Sequence, residues 1–239
     1  MLTPRCNMRC DFCGAEAGFD AMPYREASAL VKNLAATGVE SVVLGGGEPF
    51  LWGEDLLGLA TLVRQQGMLA QVGTNGSLIP EGAAVLEGFD RWILPIESLH
   101  DLTHNAMRRL PAGHLEKVMQ VMDRLRRAGS TVTISSLVTQ ENFDRLLEIG
   151  AYLQWYQRND GKVHAWHLYR FQPVGRGGES HADQFSTAPG VFGSLGASIK
   201  EKYGDLKVYL RPDMYHSRQT SFYWWEASAM KSLQASGAL

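Results

Sequence analysis

Short β-branched runs alternate with amphipathic helical stretches along most of this 239-residue chain, and that alternation is the feature that admits the fewest folds. It specifies α/β, with parallel strands joined by helical crossovers, because a parallel return needs about a dozen residues or more. Pro23 opens a helical face on Ala27, Leu30, Val31 and Leu34 that Gly38 closes, and residues 41–44 follow as a buried strand. The cycle repeats with a helix over 56–63, a strand over 69–73, a short helix over 82–86 and a strand over 92–96. Leu115, Val118, Met119, Met122 and Leu125 set the clearest helical stripe, over 115–128. A strand at 131–138, a helix at 143–156 and a strand at 163–171 come after it. With residues 1–4 counted as the stub of a first strand, six strands precede residue 172. Eight close a full barrel, so the expected fold is a partial (β/α)6 TIM-like barrel over 1–172 with a C-terminal helix-strand extension over 173–239. There, a glycine-rich loop over 172–189 leads to a helix at 191–203 and a strand at 206–210. The tail crowds together Tyr215, Phe222, Tyr223, Trp224 and Trp225, and is expected to complete a core or cover the barrel opening.

Apolar residues make up 45% of the chain, enough for one folded core, and 23 basic against 25 acidic residues leave a net charge of −2. That balance lacks the basic field that non-specific nucleic-acid binding requires. The sequence has no apolar run of about 18 residues or more, and its first residues are polar and cysteine-bearing where a secretory signal carries an apolar stretch. The expected setting is cytoplasmic, with no membrane partner.

All three cysteines, Cys6, Cys10 and Cys13, fall in the segment CNMRCDFC. An odd count this small excludes a disulfide scaffold. Three thiolates at this spacing on a compact loop can converge on one iron-sulfur centre. A structural zinc and three unrelated buried thiols are the competing readings; zinc commonly takes four protein ligands, and the nearest histidine in sequence is His100. A cubane of four irons held by three thiolates leaves one iron open to an external chelator. Gly45, Gly46, Gly47, Glu48 and Pro49 follow the strand at 41–44, so they sit at its C-terminal end, where α/β enzymes bind ligands. The glycines admit close backbone approach, and Glu48 offers an anionic acceptor to an ammonium group. The phosphate-loop and dinucleotide patterns are both absent. His100 and His104 read as part of a loop without a third ligand, not as a metal pair.

Taken together, these motifs resemble the radical S-adenosylmethionine (radical SAM) superfamily. The likeness runs from CNMRCDFC, with aromatic Phe12 before Cys13, through GGGEPF at 45–50, TNGSLI at 74–79, PIESLHDLTHNAMRR at 95–109 and SSLVTQEN at 135–142. The resemblance implies a [4Fe-4S] cluster on Cys6, Cys10 and Cys13, with S-adenosyl-L-methionine chelating the fourth iron. It also implies that the loop from Gly45 to Pro49 binds the methionine amino group and that Glu97 holds the ribose hydroxyls. Ser135 or Ser136 would meet the methionine carboxylate, strand alternation allowing only one of them to face inward. Asn75 is either a cofactor contact or, with Gly76, a turn former.

The implied reaction is cleavage of S-adenosylmethionine, driven by an external one-electron donor, to methionine and a 5'-deoxyadenosyl radical that abstracts a substrate hydrogen. With all three cysteines engaged, no thiol remains for hydrogen donation or an auxiliary cluster, which disfavours epimerases and maturases that rely on them. FQPVGRGG at 171–178 resembles an element of peptide-modifying members, so a ribosomally synthesised peptide, presented by a separate recognition protein, is the expected substrate. Arg170, Arg176, Arg211 and Tyr215 are the candidate substrate contacts. CNMRCDFC, GGEPFLW, TNGSLI and SSLVTQENF are also similar in layout to the viperin family. That likeness implies dehydration of a nucleoside triphosphate, with Arg170, Arg176, Arg211 and Arg218 on its phosphates. A non-enzymatic iron-sulfur module is the third reading, and the element at 45–49 speaks against it. Only five residues precede Cys6, so the chain is expected to begin late or with a stub strand.

Overall fold

The computed structural model describes residues 1–15, 18–110, 112–212, 220–226 and 229–235, with side chains described as far as residue 212. Its first elements are α1 (Tyr24–Ala36), β1 (Ser41–Leu44), α2 (Leu56–Gln65), β2 (Leu69–Gly73), α3 (Ala83–Glu87) and β3 (Arg91–Pro95). Next come α4 (Asp101–Met107), α5 (His114–Arg127), β4 (Thr131–Val138), α6 (Leu146–Arg158) and β5 (Lys162–Arg170). The remainder is α7 (Gly175–Gly178), α8 (Ala182–Phe185), α9 (Pro189–Lys202), β6 (Val208–Arg211), β7 (Thr220–Glu226) and β8 (Ala229–Ala235). Strands β1 to β6 form one parallel sheet in sequence order, and β7 pairs antiparallel with β8. The result is the expected partial barrel, a curled six-stranded half-barrel with further helical and strand elements toward the C-terminus.

Strand alternation sorts the side chains. On β3, Trp92 and Leu94 are fully buried in the hydrophobic core, while Ile93 and Pro95 are half-buried and line a cavity to which Leu94 also contributes. Val118, Met122 and Leu125 of α5 and Ile149 and Leu153 of α6 are equally buried in the same core. Each such side chain contributes roughly 1.5–3 kcal/mol of burial. The Tyr156 hydroxyl ties α6 to α5 by donating to Met122 O at 2.9 Å. This packing holds the C-terminal strand ends at one rim.

Three expectations change. Residues 1–4 are not a strand, so among the described residues five strands precede residue 172, and the sixth is β6. The backbone of the opening segment bonds to the loop beyond β1, not to β1 itself. The glycine-rich stretch over 172–189 is not an open loop but α7, a 3-10 turn at Glu179–His181 and α8. Its anchor is Phe185, buried edge-on against Phe171 in a small core with Met107. His104 lies on a helix, α4, and stacks on His114. Phe222 to Trp225 fall on β7; the packing expected of the aromatic tail, and the assignments to Tyr215 and Arg218, lie outside the described residues. Among the described residues no helix is long and apolar enough to cross a membrane.

Candidate active site

The cysteine segment is seated from two sides. Leu2 N donates to Gly45 O at 2.8 Å, Gly47 N to Thr3 O at 2.7 Å and Glu48 N to Arg5 O at 2.8 Å. A Cβ at Gly46 would collide with Thr3 O, and one at Gly47 with Arg5 O. The freedom that the sequence attaches to ligand approach therefore serves first to bring the cysteine segment against the glycine loop. From the other side, Gly177 N and Gly178 N donate to Cys13 O at 3.1 and 3.4 Å, and Arg176 N to Ala15 O at 3.2 Å. A Cβ on Gly177 would stand 2.6 Å from Cys10 O. The Arg176 guanidinium donates to Pro4 O at 3.3 Å.

Cys6, Cys10 and Cys13 are half-buried and line one cavity of about 260 Å³, together with Phe12, Arg108 and Ser135. Burial pushes the Cys10 thiol up to about 11, against the pull of the Arg108 charge. Among the described residues no three His, Cys, Asp or Glu side chains stand at the spacing of a single bound metal ion. A cubane takes one thiolate per iron, so its ligands surround a void instead of converging on a point. Three thiols on one loop around a cavity fit that donor set better than a closed four-ligand zinc site.

Glu48 is fully buried, and its carboxylate accepts from Thr74 Oγ1 at 2.7 Å, Asn75 N at 2.8 Å and Phe50 N at 3.2 Å. Burial raises its pKa while these donors oppose the shift. It thus joins the loop after β1 to the loop after β2. Pro49, also buried, starts the 3-10 turn Pro49–Leu51. Asn75 N is taken by Glu48, and its carbonyl accepts from His114 Nε2 at 2.8 Å. His114 Nδ1 lies 2.8 Å from His104 Nε2, and His104 Nδ1 accepts from Glu97 N at 3.2 Å. A backbone N–H at one end and a carbonyl at the other fix the tautomers: both rings are neutral, each donating through Nε2. Burial lowers His104 to about 3 and His114 to about 4. Glu97 Oε2 also stands 3.4 Å from His104 Nδ1, but the neutral ring makes this a near contact, not an ion pair.

Glu97 itself is 2% exposed, and its two oxygens accept from Arg108 Nε and Nη2, each at 2.8 Å. The same guanidinium reaches to 3.9 Å from Cys10 Sγ and lies 5.4 Å from the centre of the Phe12 ring. Buried Asn142 donates to Glu97 O at 2.7 Å and accepts from Thr139 N at 2.9 Å, tying the ends of β3 and β4 together. Ser136 is buried, donating to Ile96 O and accepting from Trp166 Nε1 at 2.9 Å. Ser135 is the member of the pair that faces the cavity.

A larger cavity of about 640 Å³ shares Phe12, Cys13, Gly46, Arg108 and Ser135 with the first and extends to Glu97, Tyr169 and Arg170. Gly45, Glu48 and Pro49 line neither. The candidate substrate arginines do not converge. Arg170 donates to Pro212 O at 3.0 Å, and Arg176 lies at the cysteine loop. Arg211, opposite Tyr169 in register, lies over the Tyr209 ring at 5.4 Å. Arg108, Tyr169, His114 and Asn142 are site residues that the sequence alone does not single out. Arg108 falls inside a recognised motif, but nothing in the adjacent pair Arg108 and Arg109 tells which one turns inward.

The chain is 30% identical to an AdoMet-dependent heme synthase of Nitratidesulfovibrio vulgaris over 182 residues, 73% of this chain and 48% of that protein. It is 34% identical to an S-adenosylmethionine-dependent nucleotide dehydratase of a Thermoplasmatales archaeon over 147 residues, 58% of this chain and 51% of that protein. The chain thus spans about half the length of these curated relatives. Streptococcus suis SuiB bound to S-adenosylmethionine shares the fold, with a TM-score of 0.73 at 14% identity over 89% of this chain and 49% of SuiB. Residues 1–153 match the family model described as Radical SAM superfamily. With three thiols at the rim of a parallel half-barrel and a family match over more than half its length, the chain belongs to the radical SAM superfamily.

Proposed function

We propose that the chain holds a [4Fe-4S] cluster on Cys6, Cys10 and Cys13, binds S-adenosyl-L-methionine at the open iron and acts on a substrate in the larger cavity. The observation that carries this reading is the placement of three thiols around a cavity of about 260 Å³ that runs into one of about 640 Å³ at the same rim. When bound, the pair supplies one-electron cleavage of the sulfonium and a 5'-deoxyadenosyl radical for hydrogen abstraction. The protein's part is positioning and exclusion of water. Gly46, Gly47 and Ser135 offer backbone and hydroxyl groups to the cosubstrate, and each Glu97 oxygen keeps a lone pair beyond its bond to Arg108 for a ribose hydroxyl. Glu48 and the His104–His114 pair keep the strand-end loops in fixed relation, while Phe12 and Leu137 supply the apolar wall.

Anaerobically reconstituted and reduced protein is expected to release 5'-deoxyadenosine from S-adenosylmethionine, and Cys10→Ala to release none. Wild-type turnover by that variant would defeat the assignment. For the substrate we propose a ribosomally synthesised peptide, presented with a separate recognition protein. The open larger cavity supports this, as does the shared fold with SuiB, which has been solved with its precursor peptide SuiA (TM-score 0.71, 14% identity). Gly175 and Gly177 of FQPVGRGG pack on the cysteine loop, so that element supports the peptide reading through its resemblance alone. The identity to a nucleotide dehydratase and the place of Arg170 in the cavity lining favour a second reading, dehydration of a nucleoside triphosphate. Mass spectrometry separates them: a changed mass in a peptide encoded beside the gene supports the first, and loss of water from a nucleoside triphosphate the second.

A further inference from the structure

The cysteine loop has an outer face as well as an inner one. Cys6 and Cys10, which line the inner cavity, also line a second cavity of about 380 Å³ that shares Met8 and Arg176 with it and is otherwise bordered by the exposed part of the loop. Arg5, Arg9, Arg109 and Arg176 border it, all exposed, and Asp11 is the one carboxylate of its lining. In a chain of net charge −2, four guanidinium groups around one half-buried loop are a local concentration. Asp11 is engaged by two cations, Arg109 at 3.4 Å and His181 at 3.6 Å. Arg109 has φ of 60°, in the left-handed region. It follows the C-cap of α4, with Arg109 N donating to Ala106 O and Leu110 N to Asn105 O, each at 2.9 Å. Glycine is the usual occupant of that position, and a side chain there costs roughly 1–2 kcal/mol. An arginine stands there and reaches the cysteine loop.

We propose that this outer face is the docking site of the external one-electron donor, an acidic protein carrying a flavin or iron-sulfur group. The inference rests on the function proposed above. Cosubstrate and substrate would occupy the inner cavities, so an electron must enter from the side they leave open. A donor seated on the arginine rim would lie against the cavity that Cys6 and Cys10 themselves line. One electron leaves the donor and one is gained by the centre, with no bond made or broken at the docking face. The positive rim steers an acidic partner into place, and the encounter is correspondingly salt-sensitive.

The test compares two donors of opposite charge on reconstituted protein, with reduction followed by absorbance and electron paramagnetic resonance. At low ionic strength the double variant Arg5→Glu, Arg9→Glu is expected to slow reduction by photoreduced flavodoxin, an acidic protein, by about tenfold or more and to flatten its salt dependence. Reduction by the methyl viologen radical cation is expected to be unchanged or faster. The Arg5→Lys, Arg9→Lys variant is expected to keep the wild-type rate with flavodoxin. An unchanged flavodoxin rate in the glutamate variant, or equal slowing with both donors, overturns the docking site. Wild-type protein that methyl viologen reduces without any release of 5'-deoxyadenosine overturns instead the function on which the site rests.

Discussion

Arg108 holds together more of the site than any other single side chain. It neutralises Glu97 through two 2.8 Å bonds in a wall where Glu97 is almost completely buried, and it spans from there to Cys10 and Phe12. Removing one partner of such a pair leaves an uncompensated buried charge, which costs about 3–5 kcal/mol. Arg108→Ala is therefore expected to lower unfolding stability in urea by about 3 kcal/mol or more, and a second change, Glu97→Gln, to restore part of the loss. A single-variant loss below about 1 kcal/mol would mean that water reaches Glu97. The neutral His104–His114 pair gives stability a pH dependence of definite sign. Their folded values, about 3 and about 4, lie below the ordinary 6.5, so the unfolded chain binds protons that the folded one refuses. The contribution is complete above about pH 6.5 and is lost as pH falls toward 4, at a slope of up to about 2–3 kcal/mol per pH unit. His114→Gln, which keeps a donor for Asn75 O, is expected to show a shallower slope in urea midpoints measured between pH 7 and pH 5.

Between elements, close backbone approach decides how the cysteine loop is held. Gly177 of α7 lies where any side chain would meet Cys10 O and Asp11 O at 2.6 and 2.8 Å. Gly177→Ala is expected to force the two segments apart, with a loss of about 1–3 kcal/mol and less iron retained per chain after reconstitution. Gly193, exposed on α9 with nothing within 4 Å of where a Cβ would stand, is the contrast. There alanine is expected to stabilise by about 0.5–1 kcal/mol, through helix propensity alone. The same contrast marks what was legible in the sequence. Strands β1 to β5 and helix α5 follow from short β-branched or apolar runs and from helical periodicity, since each must bury apolar side chains. The cysteine spacing was legible as what the structure holds, three thiols of one short loop around one cavity. Periodicity says nothing about the partner of a loop. That Gly46 and Gly47 receive the opening segment, and that Gly177 underlies the cysteines 164 to 171 positions earlier in the chain, depends on backbone contacts between distant segments. The role of His104 was hidden likewise, because its partner His114 lies on the next helix.

For the molecule as a whole, the sheet order β1 to β6 places rigidity and chemistry at different levels of one wall. The central strands β3 and β4 bury Trp92, Leu94, Val132 and Ile134 completely, whereas Val43 of β1 and Tyr209 of β6 are 52% and 42% exposed at the two edges. Local opening follows burial and backbone pairing, so the edges open most readily and the centre opens only with global unfolding. The residues proposed to meet cofactor and cosubstrate lie in the loops beyond the strand ends, where an ordering ligand adds protection without altering the wall. Hydrogen exchange read by mass spectrometry is therefore expected to show β3 and β4 slow and β1 and β6 fast in the metal-free protein. Reconstitution and addition of S-adenosylmethionine are expected to slow residues 4–13, 45–48 and 74–77 while leaving β3 and β4 as they were. Slowing spread evenly over the sheet would indicate instead that the half-barrel folds around its cofactor, and that the metal-free rim is not organised in advance.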